Sequence, residues 1–288
     1  SYGPIDTESN YYVPREELIN KVKQKLQGES IRKGGHYITV WAPRQTGKTG
    51  VLQQVLWRLQ KDERFDVLKI NLQHLRTVEE SKKVIKILIE EISDGLSINL
   101  PKFDDWENFQ KIFTSQYLKK PLILILDEFD ALQESIINGI ADVFRNIHII
   151  KKDELEKTKK KKTYLLHGVA LIGIRNVLGI ENKQGSPFNV QRSVHIPNLT
   201  YNEVDSMFKW YEKESGQKIE QEVIDRLFNE LQGQPGLTCW FGELLTEEYN
   251  KDKSKPIDMK LFKEVYLYAS QLLPNNNILN IISKANQE

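Results

Sequence analysis

The sequence predicts an α/β fold: a parallel β-sheet covered by helices, followed by a region built from helices alone. Three observations carry this reading. Segments of strand character alternate with segments of helical periodicity up to about residue 197. Leu122-Ile123-Leu124-Ile125-Leu126 is an unbroken apolar run behind Pro121, the pattern of a strand buried on both faces. Beyond Pro197 the strand signals stop and helical periodicity continues.

The elements follow in order. Leu18, Ile19, Val22 and Leu26 predict a first helix from Arg15 to Leu26, and Gly34-Gly35 breaks the chain after it. Tyr37 to Trp41 is β-branched and aromatic and predicts a strand. The next helix runs to about Gln60, with Val51, Leu52, Val55, Leu56 and Leu59 on its apolar face. Val67 to Ile70 predicts a second strand, and Val84, Ile85, Leu88 and Ile92 mark a core-facing helix. After the Leu122 to Leu126 strand, a helix is predicted from Ala131 to about Ile149. Gly168 to Gly173 and Ser193 to Ile196 complete the strands. Thr200 and Glu203 form a Thr-x-x-Glu capping box ahead of Val204, Phe208 and Tyr211. Further helices are marked by Val223, Leu227 and Leu231, by Leu237 to Tyr249, and by Leu261 to Leu272. The expected division is therefore residues 1–197 and 198–288, without internal repeats.

Composition narrows the function classes. Hydrophobic residues at 39% and charged residues at 28% suit a folded chain with a well-solvated surface. The net charge of +1 gives no overall field toward DNA or anionic lipid, so a nucleic-acid surface would have to be a local patch. Lys151 to Lys162 holds seven lysines and three acids, and reads as a solvated loop between a helix and a strand. The single cysteine, Cys239, excludes an internal disulfide and suggests a reducing compartment. No run is apolar and long enough to span a bilayer, and Ser1 to Asn10 lacks an apolar signal core, so a cytoplasmic location without a membrane partner is expected. A chain beginning at Ser1 is expected to be processed or cut from a longer protein, and to have other domains or protein partners.

Two motifs carry chemistry. Ala42-Pro43-Arg44-Gln45-Thr46-Gly47-Lys48-Thr49 lies between a predicted strand and a predicted helix, the context of a Walker A loop. Such a loop needs small residues, free backbone N–H groups and a helix N-terminus to wrap a phosphate chain. Pro43 to Gly50 are the candidate phosphate-binding residues: Gly47 admits close approach, Lys48 reaches the β- and γ-phosphates, and the Thr49 hydroxyl suits Mg²⁺. The strict pattern has Gly where Ala42 stands. Asp127-Glu128 follows the buried strand as a Walker B pair. Asp127 is the second candidate Mg²⁺ residue, and Glu128 the candidate to orient and deprotonate an attacking water. The expected cofactors are ATP and Mg²⁺. The five histidines are scattered without metal-ligand spacing. Cys239 reads as a buried small hydrophobe, and Trp106, Trp210 and Trp240 as core aromatics.

Together with Tyr11 to Leu18 (YYVPREEL), Leu126 to Leu132 (LDEFDAL), Ser186 to Asn189 (SPFN) and Gly233 to Gly236 (GQPG), these motifs resemble the AAA-like ATPase modules. The resemblance covers about residues 11–250 and lies near the STAND ATPases and the origin-recognition type initiators. It implies a P-loop NTPase core with an additional strand, sheet order 5-1-4-3-2, and a C-terminal helical lid. Val13-Pro14-Arg15-Glu16 is similar to the family's adenine-contacting motif, with Pro14 where Gly is usual, which implies base contacts from Val13, Pro14 and Arg15. Gly233-Gln234-Pro235 matches the Gly-x-Pro motif of STAND proteins, which implies Pro235 near the base. Arg175 or Asn176 is the implied sensor after the fourth strand, and Arg192 the implied arginine acting across a subunit interface, hence self-association.

Three functions compete: a Mg-dependent ATPase acting as a STAND-type nucleotide switch, a DNA-associated ATPase of the initiator or transposition-regulator type, and a binding-only module. The low net charge and the lack of an Arg/Lys-rich recognition helix weigh against the second, and an intact Glu128 against the third.

Overall fold

The computed structural model describes residues 11–43, 45–156, 162–173, 193–250 and 252–271. Arg44, Arg175, Asn176, Arg192 and Ser186 to Asn189 lie outside the described residues.

One sheet contains β1 (Tyr37–Trp41), β2 (Asp66–Asn71), β3 (Leu122–Asp127), β4 (Leu166–Gly173) and β5 (Val194–His195). All pairings are parallel, and the order is β2-β3-β4-β1-β5, which is the expected 5-1-4-3-2 read from the other edge. Every residue of β3 and β4 is buried, whereas most of the edge strand β2 is half-buried. This explains the unbroken apolar run of β3, since a central strand covered on both faces has no solvent side to alternate with.

Parallel strands require crossovers, and helices supply them. After α1 (Glu16–Gln27), α2 (Lys48–Gln60) joins β1 to β2. α3 (Ser81–Leu96) and the short α4 (Trp106–Lys111) lie between β2 and β3, and α5 (Glu134–Glu156) precedes β4. The sequence reading missed α4, which is too short to show periodicity. The Asp105 carboxylate caps it by accepting the Asn108 N–H, and Phe109 anchors it in the core.

α5 corrects the reading in two ways. It starts later than expected, because Glu128 is left-handed at φ 54° and Phe129–Ala131 forms a 3-10 turn first. It also continues through Glu156, so half of the charge run read as a loop is helix.

The helical region comprises α6 (Tyr201–Ser215), α7 (Gln221–Leu231), α8 (Pro235–Glu243), which continues as a π-helical turn over Leu244–Glu248, and α9 (Met259–Gln271). The capping box is present: the Thr200 hydroxyl accepts the Glu203 N–H and the Glu203 carboxylate accepts the Thr200 N–H. Val204, Phe208, Leu227, Phe241 and Val265 belong to a separate core. Cys239 and Trp210 are exposed, contrary to their reading as core residues. Trp210 meets Tyr11 edge-on, 5.3 Å between ring centroids.

Contacts group the chain into two compact units. One comprises Glu16–Ala42 and Leu52–Ile196 and holds the sheet. The other joins the described parts of Ser1–Arg15, Pro43–Val51 and Pro197–Glu288. Among the described residues, no helix is long and apolar enough to cross a membrane.

Candidate functional site

In the sheet unit, parallel pairing brings the C-terminal ends of the strands to one edge. Trp41 pairs with Gly173, and Asn71 with Asp127. Ala42 leaves this edge with its N–H donated to the Gly173 carbonyl at 3.3 Å. It is fully buried, which accounts for a small residue at the first position of the loop.

Asp127 ends β3 and is 5% exposed. Its Oδ2 lies 2.8 Å from the Lys69 ammonium on β2, and its Oδ1 accepts the Glu128 N–H at 3.1 Å. A positive charge therefore already stands against this carboxylate. Glu128 leaves the strand at φ 54°, a left-handed conformation that costs an L-residue roughly 1–2 kcal/mol and turns its side chain out of the strand's alternation. Gly173 faces Asp130: a Cβ there would lie 2.9 Å from Oδ1. Lys69 and Asp130 were missed in the sequence. The available signal for Lys69 was a lone charge inside an otherwise apolar strand core, Val67-Leu68-Lys69-Ile70.

In the other unit, the loop from Pro43 closes on itself. The buried Thr46 hydroxyl donates to the Pro43 carbonyl at 2.8 Å, and the Lys48 ammonium donates to the same oxygen at 3.4 Å. Gln45 and Gly47 are left-handed, at φ 61° and 81°. A Cβ on Gly47 would meet nothing within 4 Å, so its conformation rather than crowding calls for glycine. α2 starts at Lys48, so the Lys48, Thr49 and Gly50 N–H groups belong to a first helical turn, which holds no acidic residue. A helix N-terminus of this kind favours an anion through the helix dipole.

Gln45 of this loop meets the Gly233-to-Gly236 motif. The Gly236 N–H donates to the Gln45 carbonyl at 2.9 Å, and a Cβ on Gly236 would lie 2.7 Å from the Gln45 Cβ. Pro235 is buried in the first turn of α8. In the N-terminal motif, the Arg15 guanidinium donates to the Pro197 carbonyl at 2.8 Å and the Asn198 carbonyl at 3.1 Å. It also lies 3.5 Å from the capping residue Glu203. Val13 is half-buried and Pro14 exposed. Among the described residues, no three His, Cys, Asp or Glu side chains converge as a metal cage.

The AAA-like domain family matches residues 1–253 of this sequence. No protein of curated function matches it. Similar solved structures include the Aeropyrum pernix ORC1 protein in complex with DNA (16% identity, 92% of this chain and 68% of that chain, TM-score 0.56). Drosophila ORC bound to DNA is similar at 17% identity over 91% of this chain and 67% of that chain, with TM-score 0.59. A Walker-type ATPase of Pyrococcus abyssi is similar at 15% identity over 100% of this chain and 79% of that chain, with TM-score 0.59. At these identities the likeness is one of fold.

Proposed function

The chain belongs to the AAA-like domain family, and from that premise we propose that it is an ATP-binding, Mg²⁺-dependent ATPase module working as a STAND-type nucleotide switch. The phosphate-binding part of this reading rests on the left-handed Gly47 and the acid-free first turn of α2. The switch rests on one observation: the Gly236 N–H of the helical region is bonded to the Gln45 carbonyl of the phosphate-binding loop. A loop that changes when phosphate arrives would be felt at α8 through that bond.

In this reading the loop from Pro43 to Gly50, with Arg44, holds the phosphates through backbone N–H groups and Lys48. Thr49 and Asp127 would hold Mg²⁺, which when bound neutralises and orients the phosphates. Glu128 accepts the proton of the attacking water. Val13, Pro14 and Pro235 face the base, with Arg15 fastening the N-terminal segment through Pro197 and Asn198. Arg175 or Asn176 senses the γ-phosphate, and Arg192 acts on a neighbouring copy in a self-associated form. The working division is residues 1–197 and a helical lid of 198–288, in a cytoplasmic protein.

Hydrogen exchange with ATP and with ADP tests the switch. ATP is expected to protect Gly233 to Leu237 as well as the loop after β1, and to do so more than ADP. Protection confined to the loop and equal for both nucleotides would leave a binding module. Tight, salt-resistant binding of a specific duplex would instead support the DNA-associated reading.

A further inference from the structure

A pocket of about 320 Å³ lies at the N-terminal edge of the sheet, opposite the strand ends that carry Ala42 and Asp127. Segments leading into strands form it: Ile31 and Arg32 before β1, Pro121 before β3, Tyr164 and Leu165 before β4. Lys151 reaches it from α5, and Lys162 and His167 complete the wall. Among the described residues, no carboxylate lines it.

The basic groups are held in place. Lys151 Nζ donates to the Leu166 carbonyl at 2.5 Å and lies 5.6 Å from the Tyr37 ring centroid. Lys162 Nζ donates to the Ile31 carbonyl. An ammonium has three donors; Lys151 also donates to the His167 carbonyl at 3.5 Å, which leaves it one hydrogen for a ligand, while Lys162 keeps two. His167 Nε2 lies 2.8 Å from the Gln27 carbonyl and must donate to it, and burial pushes the ring down to about 4, so it is neutral.

The charges do not balance. Glu154 acts on both lysines, but its carboxylate also accepts the Thr163 N–H. Among the described residues, Glu154 is the carboxylate whose charge acts on Lys151 and Lys162, and Arg32 adds a further positive charge beside Lys162. Burial, aided by the charge of Lys162, pushes the Lys151 amine down to about 7. Like charges gathered beside apolar Ile31, Pro121 and Leu165 are costly unless an anion joins them.

We propose that this pocket binds a small tetrahedral oxyanion, phosphate or the phosphoryl group of a small molecule, between Arg32, Lys151 and Lys162. The apolar wall offers room for a compact organic body beside the anion. The assignment is independent of the nucleotide reading, because it uses the opposite edge of the sheet.

Calorimetry with inorganic phosphate on Lys48→Ala, which weakens phosphate binding at the loop after β1, and on Lys48→Ala carrying Arg32→Ala or Lys162→Ala tests it. The expected result is binding to Lys48→Ala that weakens about tenfold or more when Arg32→Ala or Lys162→Ala is added. Sulfate, which does not titrate near neutrality, should bind with proton uptake at about pH 8, because an anion draws the Lys151 amine back to its charged form. Glycerol 3-phosphate binding more tightly than phosphate would identify a phosphorylated small molecule, and equal affinity free phosphate. No binding to Lys48→Ala up to about 10 mM, or equal affinity in all three proteins, would overturn the proposal. Arg32 is exposed, so its variant tests binding without disturbing the core.

Discussion

Lys69 Nζ lies 2.8 Å from Asp127 Oδ2 across β2 and β3, and the two side chains are only 16% and 7% exposed. In the proposed function, Mg²⁺ at Asp127 would compete with this ion pair. Lys69→Met leaves Asp127 without its counter-charge. The expected outcome is a metal-free protein less stable by about 1–3 kcal/mol in urea denaturation, together with several-fold tighter Mn²⁺ binding read by paramagnetic resonance. Unchanged Mn²⁺ affinity would mean that Lys69 does not compete.

Lys48→Ala should fold normally, since its bond to the Pro43 carbonyl is long and exposed. It should weaken ATP by about 1.5–3 kcal/mol, the worth of charge-assisted phosphate contacts. Calorimetry returning wild-type affinity would remove the loop from nucleotide binding.

Glu128 combines a strained backbone with the proposed proton acceptor. Glu128→Gln is expected to bind ATP and lose turnover, because an amide cannot take the proton. Glu128→Gly should also lose turnover yet gain about 1 kcal/mol in stability by relieving the left-handed residue. Phosphate-release assays and thermal melts check the pair, and wild-type turnover in Glu128→Gln would clear this residue of the role.

Gly236→Ala would set a Cβ 2.7 Å from that of Gln45. The Gly236–Gln45 bond should open, so ATP should still protect the loop after β1 but no longer Gly233 to Leu237. Hydrogen exchange reads both segments at once, and wild-type protection at α8 would show that the bond does not couple them.

Lys151, pushed down to about 7 by burial and by Lys162, gives the fold a pH dependence. The unfolded lysine holds its proton up to its ordinary value of 10.5, so above about pH 7 the unfolded state binds more protons and stability rises with pH. Lys162 is shifted the same way, His167 acts in the same direction between about pH 4 and 6.5, and Glu154 opposes both lysine shifts. Urea denaturation between pH 7 and 9 should show a clear rise in the wild type and a shallower one in Lys151→Met. Equal slopes would place the Lys151 proton elsewhere.

What the sequence determined by itself was local. Apolar spacing marked the helices, the buried run of β3 marked a central strand, and Gly47-Lys48-Thr49 at a strand-to-helix junction marked the phosphate loop, because each is set by neighbours a few residues apart. The sheet order came from family resemblance, since periodicity does not say which strands pair. Only the tertiary structure decided the pairs that join distant segments: Lys69 with Asp127, Arg15 with Pro197, and Gln45 with Gly236. The same holds for Lys151, read as part of a solvated loop but turned from α5 onto the Leu166 carbonyl, and for Cys239 and Trp210, apolar by type yet exposed. Periodicity shows that a helix has a buried face. Which side chains at its margin meet protein, water or a charge depends on the partner element, and sheet register and helix packing set that partner.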